Sequence, residues 1–230
     1  MTVERPPDAA PTSSTAAERP PGAAPTSSAA ADHYFSPVPG AAPERYEVAF
    51  EAGGRSFVLV AAAGVFSAHR LDPGTAVLLR KAPPPGPRGG VYLDLGCGYG
   101  PISMVLATSS PAARVYAVDV NERALELVEE NAARLGVSDR VVAATPDAVP
   151  DDARFDEIWS NPPIRVGKTQ LHETLLRWLP RLAPGGTGWL VVNRNLGGDS
   201  LQAWLTDQGY HAHKYASQKG YRVLQVTAGD

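Results

Sequence analysis

Two short stretches hold most of the chemistry in this 230-residue chain. Asp94-Leu95-Gly96-Cys97-Gly98-Tyr99-Gly100 sets a carboxylate directly before three alternating glycines. Glycine lets a backbone turn tightly and approach a ligand that any larger side chain would keep away. Turns of this kind also cradle pyrophosphate, but with G-x-G-x-x-G spacing, and a carboxylate beside a pyrophosphate would be repulsive. The same charge attracts an ammonium or a sulfonium, so Asp94 with Gly96, Gly98 and Gly100 points to S-adenosylmethionine. Asp119 lies 23 residues beyond Gly96, where an acid at a strand end can accept hydrogen bonds from both ribose hydroxyls. Asn121 is grouped with it at the cofactor site, although the two residues would also serve as a simple helix cap. Asp147 follows the third strand, near the place of an adenine base. It reads equally well as an acceptor for the adenine amino group and as a solvated loop acid.

The second stretch is Asn161-Pro162-Pro163-Ile164. An amino group on a base or amide is a poor nucleophile because its lone pair is delocalised. Acceptors on both of its N–H bonds would hold it in place and favour pyramidalisation, turning the lone pair toward a methyl donor. Asn161 offers a side-chain oxygen and Pro162 a backbone carbonyl. The prolines fix φ, remove an N–H and constrain the preceding residue, so the loop is preorganised. The expected chemistry is methyl transfer to a planar, conjugated nitrogen. It needs no strong general base, because the methylated cationic nitrogen loses its proton readily to water.

These residues need elements to carry them. From Val91 onward short apolar runs alternate with amphipathic helices, the pattern of a largely parallel sheet covered on both faces. Strands are expected at Val91–Leu95, Arg114–Asp119, Arg140–Ala144, Phe155–Ser160 and Thr187–Val192. One helix follows Asn121, with Leu125, Val128, Ala132 and Leu135 on one face. A second spans Lys168–Leu182 with Leu171, Leu175, Trp178, Leu179 and Leu182. A helix over Ser200–Asp207 and two runs, His211–Ser217 and Tyr221–Val226, add an antiparallel hairpin. The fold class is therefore α/β, Rossmann-like, with a seven-stranded mostly parallel sheet. In front, Tyr46–Glu51 and Arg55–Val60 form a hairpin, and Ala76–Leu79 a short helix after Asp72-Pro73-Gly74-Thr75. The organisation is a tail at 1–31, a hairpin-and-helix extension at 32–90 and the main domain at 91–230. The tail repeats fourteen residues, ERPPDAAPTSSTAA then ERPPGAAPTSSAAA. It has too few large apolar groups to offset the ordering entropy, so it is expected to be disordered.

The net charge of −3 conceals −1 over residues 1–31, +1 over 32–90, −7 over 91–164 and +4 over 165–230. Such a split is compatible with a polyanion approaching from one side and also with ordinary solvated faces. Arg165 and Lys168 flank the Asn-Pro-Pro loop and, with His213, Lys214, Lys219 and Arg222, could line a phosphate-binding rim. Cys97 is the single cysteine, which excludes an intramolecular disulfide and reads as a small apolar filler of the glycine loop. Neither Cys97 nor His33, His69, His172, His211 and His213 fall at metal-site spacing, so no metal is expected. Trp159, Trp178, Trp189 and Trp204 read as core. With no signal-like N-terminus and no apolar run of ~18 residues, the expectation is a cytoplasmic protein off the membrane. The sequence fixes no oligomeric state, and a monomer is preferred.

The Asn161-Pro162-Pro163-Ile164-Arg165 loop resembles the ribosomal RNA small-subunit methyltransferase C family. So do Gly167-Lys168, Leu171-His172 to Trp178, Gly64-Val65-Phe66-Ser67, Asp72-Pro73-Gly74-Thr75 and Lys219-Gly220-Tyr221-Arg222-Val223. The likeness covers about residues 33–226. It implies a class I methyltransferase fold and transfer to the exocyclic N2 of a guanine in 16S ribosomal RNA, either naked or in the small subunit. Longer members carry a second, degenerate domain in front, which residues 32–90 are too few to form. Ile164 stands where many base methyltransferases have an aromatic, so Phe35 or Phe66 would have to supply a ring. The alternatives are a glutamine-amide, DNA-adenine or small-molecule N-methyltransferase, and a degenerate cofactor-binding scaffold. The intact Asp94, Asp119 and Asn161 speak against the last.

Overall fold

β-Prone runs broken by turn residues set the strands of the computed structural model, which describes residues 1–2, 44–162, 167–194 and 198–229. Arg45–Ala52 (β1) and Arg55–Ala62 (β2) pair as an antiparallel hairpin. Helix α1, Pro73–Lys81, follows, capped by Asp72, whose carboxylate accepts from the Thr75 N–H. Pro73 at the first helical position has no N–H to leave unpaired. Val91–Leu95 (β3), Pro101–Ser109 (α2), Arg114–Val118 (β4), Glu122–Arg134 (α3), Val141–Ala144 (β5) and Phe155–Ser160 (β6) come next. The remaining elements are Lys168–Trp178 (α4), Leu182–Asn193 (β7), Gly198–Asp207 (α5), Tyr210–Gln218 (β8) and Tyr221–Ala228 (β9).

The sheet has seven strands in the order β5-β4-β3-β6-β7-β9-β8. Strands β3 to β7 run parallel, and β9 lies antiparallel between β7 and β8. This is the expected fold class. Alternation along β7 shows how both faces are covered, with Trp189 and Val191 entering one buried cluster and Leu190 and Val192 another. Val48, Phe57 and Leu59 of the hairpin join Val105, Leu127 and Val128 in the first of these clusters, so hairpin and sheet share a core.

One helix is shorter than its leucine spacing suggests. Lys168–Trp178 is α-helical, Leu179–Arg181 is a 3₁₀ turn, and Leu182 opens β7 opposite Phe155. Pro180 ends the α-helix, since a proline there has no N–H for the next helical bond. Strand β7 accordingly starts five residues before Thr187, and its register with β6 shifts between Phe155 and Glu157. Trp159, Trp178 and Trp189 are buried, whereas Trp204 is half-buried and stacks on His172 with ring centroids 3.7 Å apart. The 1–31 tail, Phe35, Pro163, Ile164 and Arg165 lie outside the described residues.

Candidate active site

Chain direction changes across the sheet at β3. The chain steps outward through β4 and β5, then returns to β6 on the other side of β3. In an open α/β sheet this switch point opens a crevice at the carboxyl ends of the strands. Asp94 is the penultimate residue of β3, Asp119 follows β4, Asp147 lies beyond β5 and Asn161 follows β6. Of these, Asn161 lines a cavity together with Gly96, Gly98, Tyr99, Phe66 and Asp72.

The glycine loop is built on left-handed backbone, with φ of 75° at Gly96, 54° at Gly98 and 88° at Gly100. A Cβ at Gly96 would meet open space, so the loop lies bare on its cavity side. Behind it Asp94 is buried, and one carboxylate oxygen accepts from the Ser103 N–H at 2.9 Å and the Ser103 hydroxyl at 2.6 Å. The other oxygen, Oδ1, is buried without a partner in the protein. Burial pushes the carboxyl up to about 7 against the pull of the two Ser103 bonds, and Asp119 adds to the rise. A cationic ligand group beside the loop would relieve both the orphaned oxygen and the raised pKa. Asp119 braces the loop from the next strand, accepting from Gly98 N–H at 2.9 Å and from Asn121 N–H at 3.0 Å. Burial raises its carboxyl too, opposed by these backbone bonds.

Asn161 is held by the front segment. Its amide nitrogen donates to Asp72 Oδ1 at 2.6 Å and to Thr75 Oγ1 at 3.0 Å. With the amide nitrogen so engaged, the carbonyl oxygen is the end of the side chain left to accept a hydrogen bond. A flipped amide would set that oxygen against the Asp72 carboxylate, acceptor to acceptor. The same Asp72 oxygen accepts from Thr75 N–H at 2.9 Å, so the cap of α1 and the anchor of Asn161 are one atom.

The profile of the methyltransferase small domain family matches residues 56–225, from the hairpin to β9. The chain belongs to the methyltransferase small domain family. It is 31% identical over 197 residues to the protein YbxB of Bacillus subtilis, covering 85% of this chain and 98% of that one. It is 34% identical over 168 residues to the ribosomal RNA small subunit methyltransferase C of Alcanivorax borkumensis, covering 71% of this chain and 50% of the relative. Among solved structures, the T. thermophilus 16S rRNA N2 methyltransferase RsmC, in complex with AdoMet and guanosine, superposes with a TM-score of 0.70 at 26% identity. That match covers 80% of this chain and 50% of the other. The chain therefore spans nearly all of YbxB and about half of the methyltransferase C relatives. The resemblance read from its motifs is borne out.

Within this methyltransferase small domain the expected site residues separate into groups. Gly96, Gly98, Asn161 and Phe66 line the cavity, and Phe66 is 49% exposed. Asp94, Gly100 and Asp119 support the loop from behind or beside it. The Asn121 side chain accepts from Arg123 N–H and donates to the Gly64 carbonyl, which makes it a helix cap that ties down the Gly64 turn. Asp147 is exposed and pairs with Arg177 at 2.7 Å. Lys168 is exposed at the start of α4. Three contributors are absent from the sequence reading: Thr75 and Asp72 as partners of Asn161, and Asn131. Asn131 is fully buried, accepts from Val60 N–H, and donates to the carbonyls of Val60 and Tyr99, which links the hairpin to the glycine loop. Asp72-Pro73-x-Thr75 is a helix-start pattern, and that local signal says nothing about a second partner 89 positions away.

Proposed function

We propose that this chain is an S-adenosylmethionine-dependent N-methyltransferase acting on the exocyclic N2 of a guanine in 16S ribosomal RNA. The observation that carries the reading is the Asn161 amide nitrogen, held by Asp72 and Thr75 beside a cavity that Asn161 shares with the glycine loop. When bound, S-adenosylmethionine supplies an electrophilic methyl group. Gly96 and Gly98 give it close backbone approach, Asp94 meets its positive charge, and Asp119 uses its remaining lone pairs on the ribose. Asn161 Oδ1 and the Pro162 carbonyl accept the two N–H bonds of the target amine and orient its lone pair. Their acceptors favour the amine as it leaves conjugation, so their effect is greatest in the transition state. Phe66, exposed at the cavity, offers the ring that an aliphatic Ile164 does not. Lys168 and Arg165 are assigned to phosphate contacts. Substrate identity rests on the methyltransferase C relatives, whose partner is RNA by name. The setting that follows is the cytoplasm, where small subunits are found.

The test is to incubate the protein with tritiated S-adenosylmethionine and, separately, 16S ribosomal RNA, small subunits, DNA and total protein. Label in ribosomal RNA that digests to N2-methylguanosine is expected. Label confined to protein or DNA overturns the substrate.

A further inference from the structure

Asp72 and Thr75 belong to a helix start that the proposed chemistry does not itself use, yet they touch the side chain assigned to orient the target amine. Asp72 Oδ1 lies 2.6 Å from the Asn161 amide nitrogen and Thr75 Oγ1 lies 3.0 Å from it. Thr75 is buried, and both residues line the cavity that Asn161 lines. Gly74 between them has no room for a side chain: a Cβ there would stand 2.9 Å from Asp72 Oδ1 and 3.0 Å from the Tyr221 ring. The helix start is thus pressed between the Asn161 loop and β9.

We propose that Asp72 and Thr75 are positioning residues for methyl transfer, which fix the Asn161 amide so that its oxygen and not its nitrogen meets the target amine. This rests on the reading of Asn161 given above. An unanchored primary amide presents either end, and only one of them accepts a hydrogen bond. The Asp72 carboxylate has no proton to donate and rejects the amide oxygen. Thr75 takes the second amide proton and removes the remaining torsional freedom. Both act through Asn161, so their effect should vanish when Asn161 is gone.

Thr75→Val is nearly isosteric and keeps the backbone N–H that caps onto Asp72. It should lower kcat for 16S ribosomal RNA about 3- to 10-fold, the worth of one neutral hydrogen bond, with the dissociation constant for S-adenosylmethionine unchanged. Thr75→Ser should restore the rate. In an Asn161→Ala background, Thr75→Val should have no further effect on kcat. A readout independent of substrate is the Asn161 side-chain NH₂ in proton–nitrogen NMR spectra. Both protons should resonate as hydrogen-bonded in the parent, and one should move to the free-amide position in Thr75→Val. If Asn161→Ala is inactive while Thr75→Val turns over like the parent, the positioning role alone falls. Parental turnover by Asn161→Ala removes the reading of the loop and the positioning role together. Free-amide resonances in the parent overturn the anchoring whatever the activity.

Discussion

On the proposed reading two side chains set the chemistry at the residue scale, and each can be tested alone. Asn161→Ala removes an acceptor that matters most as the amine lone pair is drawn out of conjugation. By analogy with one preorganised oxyanion-site donor, kcat should fall about 10²- to 10³-fold, while calorimetry finds S-adenosylmethionine binding unchanged. Asp94 tests the charge of the pocket. Its carboxyl is raised to about 7 by burial, so in the unliganded protein its contribution to stability is full at low pH. That contribution is lost as pH rises from the unfolded-state value through about 7. A cation favours the ionised form, so cofactor binding should show the opposite trend. Affinity should climb as pH rises toward 7 and level off above it, approaching about tenfold per unit on the acid side. Asp119, also raised by burial, acts in the same direction. Asp94→Asn should flatten most of the profile, and titration calorimetry across that range decides it.

Asn131 is the most informative contact at the element scale. It joins β2 and the glycine loop from the last turn of α3, and all three of its partners are backbone groups of Val60 and Tyr99. Asn131→Ala leaves buried polar groups unpaired at about 1–3 kcal/mol each. A loss of roughly 3 kcal/mol in a urea titration, with weakened S-adenosylmethionine affinity, is the expected result. A loss confined to stability would separate the hairpin from the cofactor loop. These elements also show which features a sequence makes readable. β-Prone runs and a glycine turn after β3 are local signals, so the parallel strands and the tight glycine turn are legible. The leucine spacing of α4 continues through Pro180 into Leu182, so the periodicity overruns the proline that ends the helix. Asn131 looks from sequence like any polar residue on an amphipathic helix, and Asp72 like any cap. Their second roles come from contacts 71 and 89 positions away, which no periodicity encodes.

Charge and strand order matter at the scale of the whole molecule. Residues 165–230 carry +4 against −7 for residues 91–164, and Lys168, Lys214 and Lys219 are exposed. If they meet phosphates, Lys168→Ala and Lys214→Ala should each reduce the salt slope of 16S ribosomal RNA binding by about 1. Filter binding at several salt concentrations measures it. Arg222 already pairs with Asp199 and should matter less. Strand order has a different consequence, concerning time. Strand β9, Tyr221–Ala228, is inserted between β7 and β8, both of which precede it in the chain, and its Tyr221 ring stands against Gly74 at the start of α1. During synthesis the chain emerges from its N-terminal side, so β7 and β8 must wait with a gap between them, and α1 without one of its walls. A nascent chain stalled before Tyr221 would already hold the glycine turn and Asn161, yet lack the ring that walls the start of α1 at Gly74. On the proposed reading, the helix start that holds Asn161 would be complete only once residues 221–228 have left the ribosome that made them.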